Sequence, residues 1–152
     1  PKKDNLKIAV VNRYQNKPPA LGFIRGFGLA KGALASSISH DSHNIVCVGV
    51  SDKEICDTVN WLINNKGGIA VNDGEIVHGF PLEIAGIMSK GSVREAAEKY
   101  QLLSAKVKDL GSTLMAPFMT LAFMSLLVIP EIKLSDRGLF DGKHFNFIPL
   151  FE

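Results

Sequence analysis

Five consecutive polar residues, His40-Asp41-Ser42-His43-Asn44, separate two apolar runs: Ala33-Leu34-Ala35 with Ile38 ahead, and Ile45-Val46-Cys47-Val48 behind. Short runs of β-branched and small apolar residues bounded by polar turn formers read as buried strands. A polar block of that length cannot lie within a buried strand, and Asp and Asn bond their own backbone readily. The block is therefore a junction at the end of a sheet, and it carries two of the chain's four histidines. Rigid strands ending in a polar loop present imidazole, hydroxyl, amide and carboxylate groups to a ligand. A second reading stands beside this one: Asp41, Ser42 and Asn44 close a turn, and His40 and His43 cap nearby carbonyls. His at i and i+3 can also share a metal, although two His and one Asp make a sparse ligand set.

The rest of the chain supplies the elements around this junction. Leu6–Val11 is a strand that ends in the polar Asn12-Arg13-Tyr14, and Pro18-Pro19 prevents its continuation. Gly26, Gly28 and Gly32 resemble a phosphate-binding loop, but no Gly-Lys-Ser/Thr follows and the next segment is strand-like. They are expected to be bulges and close backbone approaches, and Arg25 among them is a candidate ligand contact. Ser51-Asp52-Lys53-Glu54 and Ser92-Val93-Arg94-Glu95 each place Glu three residues after Ser, the pattern of a capping box, so each opens a helix. Ile55, Val59, Leu62 and Ile63 line the first helix, which Gly67-Gly68 ends. Val93, Ala96, Tyr100, Leu103, Val107 and Leu110 line the second, which Gly111 stops. Asn72-Asp73-Gly74-Glu75 between short apolar runs predicts a hairpin, with His78 in a structural role on its second strand. Phe118 to Ser125 reads as extended, as do Leu126 to Ile129 and 131–134, with a last short strand at 145–148. These elements predict an α+β fold, a mostly antiparallel sheet of about six strands flanked by two main helices, in a single domain over residues 1–152.

Composition narrows the function. Net charge is +2 with no basic run, which argues against nucleic acid as a partner. Residues 110–129 carry no charge, but Pro117, glycine and hydroxyl residues interrupt them, so a buried strand and turn are expected rather than a membrane span. Apolar residues make up 46% and mean hydropathy is +0.14, which predicts that part of the surface is covered by something else. Two unpatterned cysteines point to reduced thiols and, with no signal peptide, to a cytoplasmic protein. The chain begins at Pro1 and enters a strand almost at once, so it is expected to be a piece of a longer polypeptide.

Four motifs carry a family resemblance across nearly the whole chain. Residues 19–28 (Pro-Ala-Leu-Gly-Phe-Ile-Arg-Gly-Phe-Gly), the His40–Asn44 block, residues 81–88 (Pro-Leu-Glu-Ile-Ala-Gly-Ile-Met), and the stretch from Pro117-Phe118-Met119-Thr120-Leu121 to residues 130–134 occur in that order. Together they resemble the C-terminal domain of bacterial adenine deaminase, in the amidohydrolase superfamily. The resemblance implies a full enzyme that hydrolyses adenine to hypoxanthine and ammonia on a (β/α)8 barrel with a divalent metal, manganese or iron. The barrel's metal ligands begin with a His-x-His pair, which this sequence lacks. The chain is accordingly expected to bind no cofactor itself, to pack on the barrel of the same polypeptide, and to belong to a homo-oligomer. His40, Asp41, Ser42, His43, Asn44 and Arg25 are the candidate contacts to adenine. The alternatives are a stand-alone ligand-binding or oligomerisation module, and a small hydrolase that uses His40, Asp41 and His43 with its own metal.

Overall fold

The structure, a computed structural model, describes residues 4–40 and 42–151. The elements run β1 (Leu6–Val11), β2 (Ala20–Ile24), β3 (Ala33–Ser36), β4 (Ile45–Gly49), α1 (Asp52–Asn64), β5 (Gly68–Asn72), β6 (Val77–Pro81), α2 (Val93–Asp109), α3 (Pro117–Phe123), β7 (Ile132–Ser135), β8 (Gly138–Asp141) and β9 (Asn146–Ile148). The main sheet has the order β2-β1-β4-β3-β5-β6, and every neighbouring pair is antiparallel. This is the expected α+β architecture with its six-stranded sheet.

Side-chain size sorts the two faces of the sheet. Successive residues of a strand point to opposite faces, and here the large ones share one side. Leu6, Ile8, Val10, Leu34, Val46, Val48, Ile69 and Val71 form one cluster with Leu103 and Val107 of α2 and Phe118 and Leu121 of α3. The alternate positions are small: Ala9, Ala33, Ala35, Cys47 and Ala70 pack against Ile55, Val59 and Leu62 of α1. Short side chains let α1 lie close to the sheet. At Gly79 the approach is closest, since a Cβ there would fall 2.2 Å from the Trp61 ring. Cys47 belongs to this small-residue face, and burial pushes its thiol well above the ordinary range, so it remains a protonated filler.

Both capping boxes close as the sequence predicts. The Ser51 side chain accepts from the Glu54 N–H and the Glu54 carboxylate accepts from the Ser51 N–H; Ser92 and Glu95 reciprocate in the same way. The other Glu54 oxygen accepts the Gly32 N–H at 2.7 Å, which ties the start of α1 to the turn before β3. Gly32 sits at φ +78, where a Cβ would collide with the Asn72 carbonyl at 2.1 Å, so no side chain fits that turn. Replacing Glu54 with Ala removes both ties. The expected cost is about 1–2 kcal/mol, read as a drop of a few degrees in melting temperature for a domain of this size.

Four details differ from expectation. Pro117–Phe123 is helical, not extended. Proline at the first helical position costs nothing there because its missing N–H would have no partner, and Met, Leu and Ala then favour the helix. The Thr120 hydroxyl donates to the Ala116 carbonyl at 3.1 Å, which removes the competition its branched side chain would bring. Residues 126–131 turn instead of forming a strand, and β7-β8-β9 make a separate three-stranded sheet. Val93, placed on the apolar stripe by its spacing, lies in the first turn of α2 and is 88% exposed. Helix α1 ends at Asn64, just ahead of the glycine pair, because Lys66 already adopts a left-handed backbone at φ 59. The uncharged stretch 110–129 is partly on the surface, with Met115 94% and Met119 57% exposed. Among the described residues, no helix is long and apolar enough to cross a membrane.

Candidate functional site

The register places the His40–Asn44 junction beside the end of β1, since Val11 pairs with Ile45. Three other segments reach the same end of the sheet: the polar run after β1, the turn between α1 and β5, and the tight turn at Ile84–Met88, which closes on itself through a bridge. Ser37, fully buried, joins two of them: its hydroxyl donates to the Gly86 carbonyl at 2.6 Å and accepts the Gly68 N–H at 2.7 Å. The approach of the junction is thereby fixed before its polar residues begin.

Ser39 and His43 are tied to each other across the junction. The His43 N–H donates to the Ser39 carbonyl at 2.9 Å, and the Ser39 N–H donates to Nδ1 of the His43 ring at 3.4 Å. An Nδ1 that accepts is unprotonated, so a neutral His43 carries its proton on Nε2. The backbone at His43 is left-handed, φ 49, which turns the chain into β4. Buried Ser39 shares a short hydroxyl–hydroxyl hydrogen bond with buried Ser125, just past α3. His40 is exposed, and its ring stacks on Phe123 of α3 with centroids 4.8 Å apart and planes 31° from parallel. Beside it lies an apolar hollow of about 250 Å³, lined by Ile38, Ile69, Tyr100, Phe118 and Met119 with His40 and Ser36.

The other two residues divide the work between presentation and anchoring. Ser42 is exposed; its carbonyl accepts the Tyr14 hydroxyl at 3.0 Å and its own hydroxyl accepts from the Asn44 amide at 3.3 Å. Asn44 is 3% exposed and its Oδ1 accepts the Arg13 N–H at 3.3 Å, an anchoring role of the kind a turn requires. The structure therefore brings His40, Ser42, His43 and Asn44 together. Asp41 lies outside the described residues. Arg25 is elsewhere: it follows β2 at the Leu6 end of β1, opposite the junction, and its Nε donates to Asn5 at 2.6 Å.

Sequence reading missed the surroundings of the junction. Arg13, Tyr14, Phe123 and Ser125 all touch it, and only the first two carried a signal, as polar residues ending a strand expected in the sheet. His78 is held structurally, its Nε2 2.7 Å from the Asp73 carboxylate within the β5–β6 hairpin. Among the described residues, no three His, Cys, Asp or Glu side chains gather closely enough to hold a metal ion. What remains is a rigid platform: one exposed imidazole, a second whose Nε2–H is free of the internal turn, and an exposed hydroxyl. Such a platform can donate hydrogen bonds and hold protons. Among the described residues, the Ser39 and Ser125 hydroxyls satisfy each other and the Ser42 hydroxyl meets the Asn44 amide and no base.

A family model for the adenine deaminase C-terminal domain matches residues 1–146. The chain is 56% identical over 151 residues to the adenine deaminase of Methanosarcina mazei, an alignment that takes in 99% of this chain and 27% of that protein. It is 54% identical over 147 residues to the adenine deaminase of Sulfurovum sp., with 96% and 28% covered. With that of Borreliella afzelii it shares 46% over 147 residues, with 95% and 27% covered. The chain thus spans roughly a quarter of the length of the curated relatives it matches.

Proposed function

This chain belongs to the adenine deaminase C-terminal domain family, and from that membership we propose that it serves as the accessory domain of a metal-dependent adenine aminohydrolase. In this reading it packs on the catalytic barrel of the same polypeptide, and the His40–Asn44 loop lines the mouth of the active site. The reaction converts adenine and water to hypoxanthine and ammonia. The observation that carries the reading is the loop's construction: a backbone fixed by buried Ser37, Ser39 and Asn44 holds His40 and Ser42 outward. A loop that only reversed the chain would need the anchors and not the exposed imidazole.

The divalent metal that the family implies, manganese or iron, does not fit this chain's described residues. His43 uses Nδ1 inside the turn, His40 stacks on a phenyl ring, and among the described residues no third ligand stands near them. The metal is accordingly assigned to the rest of the enzyme. This chain contributes hydrogen bonds to the purine ring nitrogens, a proton held at the His43 Nε2, and cover that excludes water. Exposed Met115, Met119, Val128 and Phe151 supply apolar surface for the barrel and for a second copy in a homo-oligomer, and the enzyme is cytoplasmic in this account.

Hydrogen exchange tests the placement. Amides of residues 38–45 are expected to exchange more slowly in the full-length enzyme than in the isolated chain, and more slowly again when hypoxanthine is bound. Equal exchange in all three samples would remove the loop from the active-site mouth.

A further inference from the structure

We infer that Arg13 is the positioning residue of the His40–Asn44 loop: one guanidinium sets where the His43 imidazole points by holding three separate turns at once. The inference rests on the reading of that loop as part of the active-site mouth.

Arg13 is half-buried at the end of β1. Its Nη1 donates to the His43 carbonyl at 3.1 Å, and its Nη2 donates to the Lys66 carbonyl at 3.1 Å and the Ala85 carbonyl at 2.9 Å. All three acceptors belong to residues in the left-handed region, with φ 49, 59 and 56. Only five non-glycine residues among those described adopt that conformation, and three of them give their carbonyls to this one side chain. L-residues persist there only where the surroundings hold them, and here the common element of the surroundings is Arg13. Its own N–H grips Asn44 at the same time, so the two residues that return the loop into β4 are both fixed from this side chain's residue.

The geometry requires a guanidinium. Its planar fork directs donors from two nitrogens along different lines, whereas a lysine ammonium donates from a single point. The space is also reserved for it: a Cβ on Gly86 would fall 2.3 Å from Nη2. None of the three acceptor segments needs the arginine to be helical or extended, since all three lie in turns after complete elements. The clamp therefore adjusts the direction of the loop more than it builds the fold, and small displacements of a positioned proton donor cost rate steeply.

The test uses the full-length enzyme with adenine and three variants. Arg13→Lys keeps the charge and loses the fork. Arg13→Gln removes both the charge and the fork while keeping one donor, and it decides the question if Arg13→Lys fails to accumulate as folded enzyme. Glu54→Ala lowers stability at the far end of the sheet and controls for that effect. The expected result is a fall in kcat of about tenfold to a hundredfold for the first two, with KM nearly unchanged, and wild-type kcat for Glu54→Ala at a comparable melting temperature. Wild-type kcat in both clamp variants, while His43→Gln lowers it, overturns the clamp alone. A fall in kcat that Glu54→Ala reproduces marks ordinary loss of stability and also overturns it. A silent His43→Gln overturns the reading of the loop, and the inference with it.

Discussion

The isolated chain is expected to release no ammonia from adenine above background, whatever divalent metal is added. Hydrolysis at a purine amine needs an activated water, a group that takes and returns its proton, and donors aimed at the charge that develops. The described residues offer only donors and a possible proton holder: His40 exposed, His43 with Nδ1 occupied, and no ligand trio for a metal. The Ser39 and Ser125 hydroxyls are bonded to each other, and among the described residues the exposed Ser42 hydroxyl meets the Asn44 amide and no base. Catalytic rate enhancements of adenine-type hydrolysis lie many orders of magnitude above the uncatalysed rate, so the whole of that factor should be missing. It should appear in the full-length enzyme assayed beside it. Sustained turnover by the isolated chain, in a preparation shown free of host deaminase, would put the chemistry inside this domain and end the accessory reading.

What the sequence revealed depended on how local its cause was. The capping boxes at Ser51 and Ser92 and the hairpin at residues 72–75 rest on interactions three to five residues apart, and each formed. The sheet was legible as strands, and the division into a large-residue and a small-residue face was already written in Leu34-Ala35 and Val46-Cys47-Val48. It becomes visible only once the strands are paired in register. Helix α3 was hidden because seven residues rich in Phe, Met and Thr carry no period long enough to separate helix from buried strand.

The loop's chemistry was legible for the same reason its support was not. His40, Ser42, His43 and Asn44 are adjacent in sequence. The Arg13 carbonyl partners lie 30, 53 and 72 residues away, and Ser125 lies 86 residues from Ser39. No local pattern encodes contacts of that range. Arg25 illustrates the reverse: its setting among glycines and aromatics drew notice, yet the register of β1 and β2 carries it to the opposite end of the sheet.

The second large effect belongs to the two imidazoles. Replacing His43 by Gln keeps a hydrogen-bonding side chain but abolishes the ring that accepts at Nδ1 while presenting Nε2–H, and replacing His40 removes an exposed imidazole backed by Phe123. His40 is exposed and His43 half-buried, so neither change leaves a buried charge or a large cavity, and the cost to stability should stay within about 1 kcal/mol. Loss of a hydrogen bond to substrate or transition state is worth about 1–3 kcal/mol, a fall in kcat/KM of roughly tenfold to a hundredfold. The direct measurement is steady-state kinetics of full-length His40→Gln and His43→Gln, each paired with its melting temperature. The account predicts near-native melting and a tenfold or greater loss of kcat/KM in at least one variant. Wild-type kinetics in both would contradict it and leave the loop as a turn.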